Sequence, residues 1–172
     1  MALFRNDSFP PDDWRYLEEG ESLALAGKTI LSLQQWRDGS GELRGTNIPL
    51  GLRLEPDVSL ASIASDLSRF AFIAVNFPKY TDGRGYSLAH QLRATYGFTG
   101  ELRAVGDVLF DQLQLLSRCG FDSFDIADPA TLKLLKSGRR PDLSRFYQPG
   151  LGPEIPENTR SWARNLMKPA RA

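Results

Sequence analysis

Cysteine and histidine are almost absent from this chain. Its 172 residues include one cysteine, Cys119, and one histidine, His90. A single cysteine excludes an internal disulfide and fits a reducing compartment. One residue of each type cannot build an iron–sulfur or structural zinc site, and no metal ligand set is assigned. An excess of either charge is also lacking. Twenty-one Lys and Arg balance twenty-one Asp and Glu, which removes the electrostatic reason to expect nucleic acid or an anionic membrane as a partner. No stretch approaches the roughly 20 apolar residues of a membrane-spanning helix. The opening residues hold no apolar run of signal-peptide length. The expected location is the cytoplasm. There is no Gly-x-Gly-x-x-Gly after a strand and no P-loop.

What is present is a regular alternation after residue 50. Gly51–Glu55 reads as a strand stopped by Pro56. Leu60, Ile63, Leu67 and Phe70 then share one helical face across residues 59–70. Phe72–Phe77 is short and apolar throughout, as a strand buried on both faces should be. A polar loop, Lys79–Gly85, leads to a helix over 86–96 that Gly97 ends. Leu102–Gly106 is a third strand, followed by a helix over 108–118 with Asp107 as a candidate N-cap. Ser123–Ala127 is a fourth. Asp128 caps Pro129–Lys136, whose proline sits where its missing N–H is harmless.

Four consecutive strand–helix units predict an α/β domain with a parallel sheet. An open or partial TIM-barrel-like sheet is favoured, with a flavodoxin-like doubly wound sheet as alternative. A half-barrel leaves sheet edges uncovered, so a homo-oligomer is a reasonable expectation. Residues 1–49 read as an N-terminal extension packed on the core, able to supply one or two strands. In it Trp14–Leu17 suits a short edge strand ended by Glu18–Glu21. Lys28–Leu33 is β-prone, Gln34–Arg37 could begin a short helix, and Asp38–Gly41 is a turn. The α/β domain covers 50–148, and Phe146-Tyr147 could dock on it. The tail, 149–172, is rich in Pro, Gly and Arg, and an extended segment is expected there. Trp14, Trp36 and Trp162 fall outside the regular units and could anchor packing or an interface.

Parallel α/β folds place chemistry at the carboxyl ends of their strands. Those ends offer Glu55, Asn76, Lys79, Asp107, Asp125 and Asp128. The densest polar and aromatic cluster is a candidate rim of Lys79, Tyr80, Asp82, Gly83, Arg84, Tyr86 and Asp107. Its carboxylates beside Lys79 and Arg84 could hold a metal–anion pair, act in acid–base chemistry or dock a partner. Structural roles compete: Asp107 and Asp128 stand where caps are needed. Asp82-Gly83-Arg84-Gly85 is a good turn, with glycines that allow positive φ. Cys119 beside Arg118 could be an activated thiol, against the commoner role of a small half-buried apolar residue.

A longer signature runs through residues 71–126. Ala71-Phe-Ile-Ala-Val-Asn-Phe-Pro-Lys-Tyr-Thr-Asp-Gly-Arg-Gly-Tyr-Ser87 is followed by Gln91-Leu-Arg93 and Tyr96-Gly-Phe-Thr-Gly-Glu-Leu-Arg-Ala-Val-Gly-Asp-Val108. Asp111-Gln-Leu113 and Arg118-Cys-Gly-Phe-Asp122 complete it. This resembles the bacterial domain-of-unknown-function family 934, and the likeness extends through Phe146-Tyr147-Gln148. The family is usually described as an oxidoreductase involved in sulfite reduction, encoded beside the sulfite reductase hemoprotein. It carries no agreed catalytic set. Its members commonly have a carboxylate where this chain has Asn76 and an Arg where it has Phe110, so neither charge is carried over.

The resemblance implies a part in sulfate assimilation. Reducing sulfite to sulfide is multi-electron chemistry that belongs to cofactors. No ligand set for siroheme, iron–sulfur or nicotinamide is evident, although a flavin could bind without a diagnostic motif. The expected role is therefore an accessory protein that binds sulfite reductase or its electron donor. The alternative is an oxidoreductase or other enzyme acting at the carboxyl ends of the strands.

Overall fold

Short apolar runs separated by polar loops form one seven-stranded sheet. The computed structural model describes residues 2–18, 21, 27–45 and 48–141, excepting the side chains of Ser40 and Glu42. The readings made for Glu19, Gly20, Phe146-Tyr147, Trp162 and the tail lie outside the described residues. Six strands run parallel in chain order: β2 (Trp14–Tyr16), β3 (Lys28–Ser32), β4 (Leu50–Leu54), β5 (Phe70–Phe77), β6 (Glu101–Gly106) and β7 (Ser123–Ile126). At the far edge β1 (Ala2–Arg5) lies antiparallel to β7, with Leu3 opposite Asp125 and Arg5 opposite Ser123.

The helices α1 (Leu33–Leu43), α2 (Arg84–Ala94), α3 (Leu113–Arg118) and α4 (Pro129–Lys136) bury their apolar stripes on a single face of the sheet. Trp36, Leu92, Leu116 and Leu135 share one core there with Leu52, Ile73, Ala104 and Ile126. The other face carries a small separate cluster, Ile30, Phe72, Ala74 and Val105, with Trp14 packed on it. Sequential strand order with helices on one face makes a curled half-barrel. A doubly wound sheet requires a reversal of strand order and helices on both faces, so that alternative is set aside.

The curl shows in contacts that a flat sheet forbids. β2 and β5 are three strand steps apart, about 14 Å in a flat sheet. Yet the Trp14 and Phe72 rings stack at 4.8 Å. Gly51, on the intervening strand β4, makes this possible. A Cβ there would lie 2.7 Å from Phe72 Cδ1 and 3.3 Å from Trp14 Cζ3. On the same face Arg103 is 2% exposed and its guanidinium lies 4.6 Å over the Phe72 ring. It donates to Asp12 at 2.6 Å, to Glu101 at 3.0 Å and to Ser123 at 3.3 Å. Asp12 belongs to the crossing from β1 to β2, so this pair ties the two edges of the sheet across the concave floor.

Four equivalent strand–helix units are not what the chain builds. After β4 the segment Leu60–Arg69 is a 3₁₀ helix. Its ten residues reach roughly 20 Å in that form, against roughly 15 Å as α-helix, and they still bury Leu60, Ile63 and Leu67. After β6 a 3₁₀ turn, Phe110–Gln112, precedes α3, which has only six residues. Asp107 therefore caps no helix; Gln112 instead accepts from the Leu109 N–H. The N-terminal region supplies three strands rather than one or two. Asp38–Gly41 is helical rather than a turn, because α1 is held by buried Trp36 and Leu43 and by the Trp36 indole bond to Asp66 at 3.0 Å. Tertiary packing overrides the weak helix propensity of its glycines. The cap at Asp128 is as expected, its carboxylate accepting from Thr131 N–H at 2.6 Å. Among the described residues no helix is long and apolar enough to cross a membrane.

Removing Asp12 leaves Arg103 buried with one carboxylate fewer. Asp12→Ala is expected to lower stability by about 2 kcal/mol, measured by denaturant unfolding. A change within experimental error would show that the crossing does not depend on this pair.

Candidate functional site

Pro78 stops β5, and the loop beyond it is fastened to the start of the next unit. The Tyr80 N–H donates to Asp107 Oδ2 at 2.9 Å, and Gln112 Nε2 donates to the Tyr80 carbonyl at 2.7 Å. Asp107 N–H in turn donates to Phe77 O at 2.8 Å. That approach needs Gly106, at φ +96°, since a Cβ would meet Phe77 O at 2.4 Å. The loop 79–86 and Gly106-Asp107 thus share one rim. Asp82 accepts from the Arg84 N–H at 3.1 Å and from its guanidinium at 2.6 Å. Arg84 holds the Asp82 carboxyl down at about 2. Gly83 and Gly85 do not use positive φ. Tyr86 packs edge-on against Phe77, and burial raises its phenol. Lys79 is exposed and makes no ion pair with a described residue. Tyr80 is 52% exposed, although its backbone is bonded on both sides.

Cys119 meets the rim only through Tyr86, in an open groove of about 420 Å³ between α2 and α3 that Ser87, His90 and Gln91 also line. Burial pushes its thiol above the usual range and outweighs Arg118. The Arg118 charge therefore does not activate it.

A second group of polar side chains gathers on the concave face at the carboxyl ends of the strands. Asn76 donates to Glu55 at 2.7 Å, and Glu55 also lies 3.3 Å from Arg53 Nε. The Arg53 guanidinium stands 6.0 Å from the Tyr16 ring centre. Asp125 is 9% exposed, and burial pushes its carboxyl up against the opposing pull of Arg103. Tyr16 is shifted upward too, first by burial and then by the Asp125 charge. β2 and β7 are five strand steps apart, about 24 Å in a flat sheet, so only the curl lets these two groups sense one another.

Glu55, Asn76 and Asp125 are among the strand ends expected from the sequence, whereas Tyr16 and Arg53 are not. The signal was the alternation Leu52-Arg53-Leu54-Glu55, which sends leucines to the core and both charges to the opposite face. Asp128 does not join the group, being engaged as a cap.

These features belong to a protein of mixed α/β class with a curled, half-barrel sheet. The chain belongs to a family of bacterial proteins of unknown function, DUF934, whose model matches residues 51–157. No curated protein and no solved structure matches it significantly.

Asp82→Asn retains an acceptor for the Arg84 N–H and removes the charge. The folded carboxyl titrates at about 2, below about 3.9 for an unfolded aspartate. Its stabilisation is therefore complete above the unfolded value and is lost as pH falls through about 2. Thermal melts should show the wild type more stable than Asp82→Asn at pH 7, with the difference closing towards pH 2. A difference independent of pH would assign the loop's stability to its turn geometry alone.

Proposed function

We propose that the protein is an accessory protein of assimilatory sulfite reduction, binding the sulfite reductase hemoprotein or its electron donor through the rim loop. The family membership motivates the pathway. The observation that carries docking is Tyr80: a large aromatic side chain displayed to solvent from a loop whose backbone is bonded on both sides. Such a group gives up little conformational freedom on binding and buries a large area. Lys79 adds a cationic group beside it, which suits an acidic partner surface. Asp82 and Asp107 act on this reading by shaping the loop.

A second reading is favoured by Asp125. A desolvated carboxyl at the carboxyl end of a barrel-like strand is suited to acid–base work. On that reading the protein is an enzyme, an oxidoreductase or another class, working on the concave face, with or without a flavin.

Calorimetric titration of the purified hemoprotein and of its electron donor into this protein distinguishes the readings. Binding to one of them, weakened at least about tenfold by Tyr80→Ala with thermal stability unchanged, is the expected result. No binding to either partner, or equal binding by the variant, would remove the docking reading.

A further inference from the structure

Three large apolar side chains are exposed among the described residues, and two of them, Tyr80 and Leu115, stand on supports that are bonded together. Gln112 makes the link. It donates to the Tyr80 carbonyl at 2.7 Å and directly precedes α3, which carries Leu115. Leu113 and Leu116 turn into the core. Gln112, Leu115 and Cys119, spaced by three and four residues, therefore run along one flank of the helix. That flank faces α2, because Cys119 lines a groove with Tyr86, Ser87, His90 and Gln91. Tyr86 belongs to both the rim loop and the groove. The surface that begins at Tyr80 thus continues past Leu115 to Cys119.

The groove is open and mostly apolar, and no Asp, Glu, Lys or Arg is among its described lining residues. A small polar ligand needs converging charged or hydrogen-bonding groups to fix its orientation. An apolar side chain delivered by a docked protein needs none, since the rest of the partner fixes its position. Anchors of that kind fill a pocket while apolar groups around them exclude water. Leu115, 49% exposed on the α3 flank, is placed to do so.

We propose that the protein partner engaging the rim loop also inserts an uncharged apolar side chain into the groove between α2 and α3, so that its docking surface runs from Tyr80 across Leu115 to Cys119. The inference rests on the docking reading and extends it. It also divides the partner's chemistry. Lys79, exposed beside Tyr80, calls for acidic groups at the rim end. The uncharged groove calls for an apolar anchor at the Cys119 end. The occupant is a segment of a folded protein, one that carries an apolar stripe with carboxylates at one end.

Cys119 is the one cysteine of the chain, so its alkylation reports on the groove alone. The full chain is treated with N-ethylmaleimide, with and without saturating hemoprotein or electron donor, and its modification is followed by mass spectrometry. Bound partner is expected to slow the alkylation at least about tenfold by closing access to the thiol. Leu115→Ala and Ser87→Trp, both at exposed positions, should each weaken calorimetric binding at least about tenfold with thermal stability unchanged. Binding that Tyr80→Ala weakens, with alkylation unchanged and both variants at full affinity, would overturn the groove and leave the rim reading standing. No binding to either partner would remove both. Protection that appears as the concentration of this chain alone is raised would assign the groove to a second copy and overturn the proposal. Alkylation of the wild-type chain decides the matter even if a variant does not fold.

Discussion

A guanidinium that is 2% exposed must find its partners inside the protein, and Arg103 finds them on distinct parts of the chain. Asp12 comes from the crossing that precedes β2, Glu101 from the same strand, and Ser123 from β7. Phe72 lies beneath the guanidinium and Trp14 stacks on the same ring. Asp12 reaches the guanidinium because the crossing from β1 to β2 lies over the concave floor. A curled sheet follows, and with it the approach of Tyr16 to Asp125. Glu101 also pairs with Arg5 of β1 at 3.0 Å, so the antiparallel edge strand belongs to the same network.

That curl gives the two faces different chemistry. The helical face is a continuous apolar core whose helices leave little beyond loops and grooves for function. The concave face is apolar at its floor and polar at the carboxyl ends of the strands, where a closed barrel keeps its chemistry. A rim loop with a displayed aromatic borders it.

Much of the α/β pattern was legible because local signals agreed with tertiary ones. The apolar run Phe72–Phe77, the polar loop after Pro78 and the Asp128-Pro129 helix start each carry their own chemistry, and each is found in place. The shared rim of the loop 79–86 and Asp107 followed from strand ends alone. Other elements depend on distant contacts and could not be read locally. β1 is only four residues long and exists because β7 offers a free edge. α1 runs through Gly39 and Gly41 because Trp36 and Leu43 are buried. The 3₁₀ form of Leu60–Arg69 buries Leu60, Ile63 and Leu67, the same residues that an α-helical face presents, so periodicity does not tell the two apart. The concave cluster stayed hidden for the same reason: Tyr16 lies more than a hundred residues from Asp125 in sequence, and only closure of the sheet makes them neighbours.

The most direct measurement of that closure is the contact between Trp14 and Phe72 in solution. With ring centres at 4.8 Å, nuclear Overhauser cross-peaks between the Trp14 indole and Phe72 ring protons are expected, with ring-current shifts on both. Absence of those cross-peaks, with Trp14 resonances at their solvent-exposed positions, would contradict a closed concave floor.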